Sequence, residues 1–188
     1  MATSSAISVP VQSGFSGFAA FDSNRRDTLG LVLSICLPLS VFVIANGLAE
    51  LNGVLPLFFA PFALPGWLGA ALHIGSLPLF GVARWMVAGR GTAGRRAGWW
   101  LVALMAGTIG FPFVVFLLDS FALAVLSMLL LLVGLSTVVR VAQISPRAAL
   151  IMAPGLAWMG LSAFVGLSLA AGWTPPFSLT NAQGQAPQ

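Results

Sequence analysis

The sequence predicts an all-α integral membrane protein, a bundle of five transmembrane helices with a cytoplasmic amino terminus and its carboxyl terminus on the opposite side. Three observations predict it. The 188 residues are 59% hydrophobic and only 6% charged, whereas a soluble domain carries about a quarter charged residues to solvate its surface. Five apolar runs are each long enough to cross ~30 Å of hydrocarbon, which takes about 20 helical residues. All eight basic residues are arginines, and five spans place every one of them on the same side.

Taken in order, residues 1–27 form a polar, serine-rich tail with Phe15, Phe18 and Phe21 spaced by three. Two readings stand for it: an unstructured tail, or an interfacial segment that lays its rings on the bilayer or on a partner. The first span is 28–48. Asn24-Arg25-Arg26-Asp27 ahead of it and Gly47-Leu48-Ala49 at its end are faintly similar to a twin-arginine signal and its cleavage site. The run is too long for a signal core, so a retained helix is expected.

The segment 50–65 is almost wholly apolar but contains Pro56, Pro61 and Pro65, which forbid a continuous helix. Such a backbone cannot lie bare in hydrocarbon, where each unpaired amide costs several kcal/mol. It is expected to fold over the helix ends or lie at the interface, as a lid over an intramembrane pocket if it is functional. The second to fourth spans are 66–88, 97–118 and 121–141, with only Asp119 and Ser120 between the last two. The fifth is 148–171, introduced by Pro146, and residues 174–188 read as a disordered tail. The runs lack the alternation of a membrane barrel.

The charges set orientation. Arg25 and Arg26 lie before the first span. Arg84, Arg90, Arg95 and Arg96 lie in or beside the second-to-third connection, and Arg140 and Arg147 flank the fourth-to-fifth. Positively charged short loops resist translocation, so this side is cytoplasmic, as in a bacterial inner membrane, whether cytoplasmic or photosynthetic. The same placement explains the net charge of +4 without nucleic acid. Pro38, Pro78, Pro112 and Pro154 fall inside helices, where they either kink the bundle around a cavity or serve ordinary packing. Two small-residue ridges mark the fifth helix: Ala149, Ala153 and Ala157, then Ser162, Gly166 and Ala170. Both suit close helix approach, within the bundle or across a dimer.

Several classes of chemistry are excluded. The lone Cys36 and lone His73 provide neither a catalytic triad nor a zinc site. No phosphate-cradling glycine motif follows a strand, and no ionisable residue sits mid-span in helices one, three, four or five, which argues against an ion pathway. His73 lies about 9 Å inside the second helix by the helical rise. Its polar ring has three possible uses: a hydrogen bond to a neighbouring helix carbonyl or Ser76, axial ligation of a haem or chlorophyll metal, or contact with a ligand or partner subunit.

Leu64-Pro65-Gly66-Trp67 with Gly81-Val82-Ala83-Arg84-Trp85 resembles the second helix of the TspO/MBR (tryptophan-rich sensory protein or translocator protein) family. Gly110-Phe111-Pro112 resembles its third helix. The stretch Ala148-Ala149-Leu150-Ile151-Met152-Ala153-Pro154-Gly155-Leu156-Ala157-Trp158 is similar to its fifth. The resemblance covers about 28–173 and rests on the ordered set of motifs. It implies a five-helix bundle, often a homodimer, with a pocket under the first loop for tetrapyrroles, sterols or other apolar ligands. By position, Trp67, Phe62 and Trp158 would line or cap that pocket beside His73 and Pro154.

His73 stands where the family usually has a tryptophan and Leu77 where it has a tyrosine. Gly107, Gly110, Gly155 and Gly166 replace asparagine, tryptophan, tyrosine and asparagine. The glycines imply either an enlarged pocket or a degenerate one. The expected function is therefore binding of a large apolar ligand: a porphyrin, haem or bacteriochlorophyll, a carotenoid or a lipid. The role is sensory, transport or regulatory, not catalytic. The alternative is a structural accessory subunit of a photosynthetic or respiratory membrane complex. Membrane lipid, a second copy or the subunits of a larger complex are the expected partners, with no metal cluster or nucleotide.

Overall fold

The computed structural model describes residues 25–62 and 64–173. The expectations for Phe15, Phe18 and Phe21 and for the C-terminal tail lie outside these residues. Within them the chain forms five helices and no strand: α1 (Arg25–Leu51), α2 (Gly66–Ala88), α3 (Gly91–Val114, continued by a 3-10 turn at Val115–Leu117), α4 (Ser120–Ala142) and α5 (Pro146–Trp173). All five are long and apolar enough to cross a membrane.

The α2 boundaries coincide with the apolar run. Both α1 and α3 are longer, α3 beginning six residues before the hydropathy rises. Hydropathy marks only the part of a helix that lies in lipid, whereas the hydrogen-bonded spiral continues through Gly91–Arg96 into the polar layer. The connections follow local chemistry. Asp119 caps α4, its Oδ1 accepting the Ala122 N–H at 2.7 Å. Such a cap satisfies one of the orphan amides of a helix start.

The helices close into a ring in the order α1, α2, α5, α4, α3, with α3 also touching α1 and α2. Thus α2, on α1, α3 and α5, is the central element. Its Leu77, Phe80, Ala83 and Val87 are buried with Leu101 and Leu104 of α3 and Met152 and Leu156 of α5. By contrast, α1 buries only Pro38 and Phe42 among its described side chains, so most of its surface faces lipid. It meets α2 at one intimate crossing, where a Cβ on Gly81 would collide with the Ser34 carbonyl oxygen. That carbonyl is the one Pro38 leaves without its helical N–H donor. Gly81 therefore lets an α-hydrogen approach an acceptor that the proline has freed.

At the arginine-rich end, Arg90 donates through Nη1 to the Ile144 carbonyl at 2.9 Å. This bond ties the α2–α3 turn to the α4–α5 turn and places both at the same end of the bundle. Beside it the Arg140 guanidinium lies 4.3 Å from the centre of the Trp100 ring. At the opposite end the segment between α1 and α2 crosses the bundle as an irregular strap, its Leu57 N–H donating to the Pro112 carbonyl at 2.9 Å.

Candidate functional site

Pro112 organises the space beneath the strap. A proline at position 112 has no N–H for the carbonyl four residues back, so the Thr108 carbonyl inside α3 loses its helical partner. His73 of α2 supplies the replacement, with Nε2 at 2.8 Å from the Thr108 oxygen. A carbonyl only accepts, so Nε2 carries the hydrogen. Nδ1 has no hydrogen-bond partner among the described residues. Thr108 is itself fully buried, its hydroxyl turned back onto the Leu104 carbonyl at 2.9 Å. Ser76 is engaged differently from one of the sequence alternatives: it donates to the carbonyl of His73, at 2.6 Å, and not to the ring.

The strap then brings aromatic rings over this pair. Phe58 meets the His73 ring edge-on at 5.7 Å between centroids and also contacts Phe42 of α1 at 6.2 Å. Phe42 in turn lies 5.9 Å from Phe113 of α3. Phe59 packs on Trp158 of α5 at 5.5 Å. The strap backbone can come this close because Gly69 offers no side chain to the Phe59 carbonyl.

Beneath Phe58 and Phe59 lies a cavity bounded by His73, Phe111, Pro112, Ser127, Trp158 and Ser162, with free room of about 20 Å³. That is space for about one water molecule. It adjoins a second hollow of about 130 Å³ that shares Leu57, Phe58, Phe59, Phe111, Ser127 and Ser162 and reaches Gly166. The lining is apolar and aromatic with few polar groups. Ser127 is already bonded to its own helix, donating to the Leu123 carbonyl at 2.8 Å, whereas the Ser162 hydroxyl has no partner among the described residues. Drug-sized ligands occupy pockets of roughly 300–1,000 Å³. In this closed form the site holds a small apolar fragment and does not fit a tetrapyrrole.

The structure brings together some of the residues singled out from sequence and separates others. His73 and Trp158 line the cavity, with Ser162 and Gly166 of the second small-residue ridge. Ala170 is buried farther along α5. Phe62 and Trp67 stand outside the cavity lining, 79% and 70% exposed. Phe62 has a positive φ of 58°, rare for a bulky residue, in a turn closed by the Leu64 N–H on the Pro61 carbonyl at 3.1 Å. Pro154, Ala153 and Ala157 lie on the exposed side of α5, with Ala149 half-buried. The glycines do not all add space. Gly155 is occupied from outside by Phe80, whose Cζ would lie 2.8 Å from an added Cβ, and Gly107 by Leu130. Of the four, Gly110 faces open room, whereas an added Cβ on Gly166 would rest against the Ala124 Cα at 4.0 Å. Phe58 and Phe59, which dominate the roof, carried no distinguishing signal within an apolar strap.

Among the described residues no three metal-ligating side chains cluster. No curated protein and no solved structure matches the chain. The family model for the TspO/MBR family matches residues 34–173, from within α1 through α5 with the strap included. The chain belongs to the TspO/MBR family, integral membrane proteins that bind hydrophobic ligands.

Proposed function

We propose that the chain binds an apolar ligand beneath the strap, against His73, Trp158 and Ser162, in a sensory or transport role without chemical turnover. The observation that carries this reading is the aromatic cavity under Phe58 and Phe59, with a hydroxyl at Ser162 and an imidazole nitrogen at His73 that no described residue engages. A flat conjugated ring suits these faces, since aromatic contacts add about 0.5–1.5 kcal/mol each beyond the area they bury. A tetrapyrrole demands more room than the closed form holds, so its binding requires the strap to move outward. The backbone bond from Leu57 to Pro112 and three aromatic contacts, of Phe58 with His73 and Phe42 and of Phe59 with Trp158, oppose that movement.

Titration of the detergent-solubilised protein with protoporphyrin, followed by tryptophan quenching, tests the reading. Trp158→Phe should remove a saturable part of the quenching, and Trp67→Phe should leave the binding curve in place. Equal curves for wild type and Trp158→Phe would reject the cavity as the site.

The second reading, a structural subunit of a larger membrane assembly, is favoured by a different observation. Ala153, Pro154 and Ala157 form an exposed small-residue face on α5, and Gly155 and Gly107 are filled by neighbouring side chains. Native electrophoresis after gentle extraction separates the two: a band well above dimer mass supports the assembly, and a monomer or dimer alone speaks against it.

A further inference from the structure

At the end of the bundle away from the strap, α2 and α3 flank an open groove of about 580 Å³. Its walls come from two facing helical rows: Arg84 and Ala88 of α2, and Arg95, Gly98, Trp99 and Val102 of α3. Arg84 lies four residues before the end of α2 and Arg95 four residues after the start of α3. Both guanidiniums therefore spring from about the same depth, roughly 6 Å inside the turn by the helical rise. Neither forms a hydrogen bond or ion pair with a described residue, and both are exposed. The described acidic side chains, Glu50 and Asp119, are at the opposite end. Trp99 is 70% exposed, at the level where indole rings settle among lipid headgroups. The floor is vacant, since an added Cβ on Gly98 would touch nothing. The groove runs from the arginines past Gly98 to Val102, from polar layer toward hydrocarbon.

We propose that this groove is a binding site for an anionic glycerophospholipid of the arginine-side leaflet. Arg84 and Arg95 grip the phosphodiester, Trp99 flanks the glycerol, and an acyl chain lies along Gly98 and Val102. A planar guanidinium presents paired N–H donors to two phosphate oxygens, so two of them at one depth suit a single phosphate. The remaining arginines of this end disfavour a choline or ethanolamine ammonium, which selects a headgroup without a compensating cation. Basic clefts between transmembrane helices are the general setting for such recognition. This site is remote from the cavity under the strap and shares no residue with it.

The test uses the full chain reconstituted in phosphatidylcholine vesicles with increasing fractions of acyl-brominated phosphatidylglycerol or acyl-brominated phosphatidylcholine. The Trp99 contribution is the difference in quenching between the wild type and Trp99→Phe. Each guanidinium near an anionic surface favours it about five-fold. Brominated phosphatidylglycerol should thus quench Trp99 at a mole fraction several-fold below that needed for phosphatidylcholine. Arg84→Gln with Arg95→Gln should abolish the preference. Arg147→Gln, at the same end but outside the groove, should keep it. Gly98→Leu fills the floor without touching an arginine and should also abolish it, which guards against misfolding of the double variant. Equal quenching by the two lipids, or a preference that survives the double variant or Gly98→Leu, overturns the proposal. Loss of the preference in millimolar inorganic phosphate would reassign the groove to free phosphate and overturn the lipid site.

Discussion

Replacing His73 by alanine should destabilise the bundle through one atom, the Thr108 carbonyl oxygen, and the size of the effect should depend on Pro112. In the wild type that oxygen has lost its helical donor to the proline and accepts from His73 Nε2 at 2.8 Å. Removing the imidazole leaves a buried acceptor without a donor, a cost of about 1–3 kcal/mol in a protein interior. Interhelical hydrogen bonds in membranes average only about 0.6 kcal/mol and reach about 1.7. The edge contact between His73 and Phe58 adds up to roughly 1 kcal/mol more. A total near 2 kcal/mol is expected for His73→Ala. In a Pro112→Ala background the restored N–H of residue 112 can bond the Thr108 carbonyl itself, and the same histidine deletion should then cost only its ring contact, about 1 kcal/mol or less. The assay is reversible unfolding in mixed micelles with rising dodecyl sulfate, followed by far-UV circular dichroism, for the four members of this double-mutant cycle. A coupling energy of zero between positions 73 and 112 would refute the account of the proline and the histidine as partners.

Gly81→Ala should destabilise the α1–α2 contact by more than 1 kcal/mol, because the new methyl meets the Ser34 backbone oxygen and not a movable side chain; the same substitution at Gly75, where an added Cβ meets nothing, should be neutral or better in the same unfolding assay. Reporter fusions check orientation. An enzyme active only outside the cytoplasm should report when fused at Gln188 and stay silent when fused after Gly94, and the opposite pattern would invert the bundle.

The five spans were legible in the sequence because lipid forces each helix to be apolar for its full crossing. The one-sided arginines then made the count self-checking. The Asp119 cap was legible as a tight turn for the same reason. What the sequence withheld was rotation. Trp67 and Trp158 look alike as tryptophans in recurrent motifs, yet one faces outward at the first turn of α2 and the other meets Phe59 under the strap. An apolar helix surrounded by lipid has no polar stripe to reveal which face points inward. The strap hid its contacts for a related reason: a proline-broken apolar segment has no periodicity, so Phe58 and Phe59 could not be told from Phe62. The link between His73 and Thr108 did leave a trace. Any proline inside a helix frees the carbonyl four residues earlier, so Pro112 pointed to Thr108, but only the packed bundle shows which side chain reaches it.

The ring order has a consequence for how the chain is made. The extensive packing of α2 against α5 joins two elements far apart in synthesis, with Phe80 of one seated at Gly155 of the other. Some 75 residues separate them, about 4–15 s of translation at 5–20 residues per second. Through that interval the inner face of α2 has α1 and then α3 beside it, but the place of α5 is held by lipid or by the insertion machinery. Closure therefore waits for α5, and a chain arrested after α4 presents Ser76 and Phe80 on an open flank that quality-control proteases can recognise.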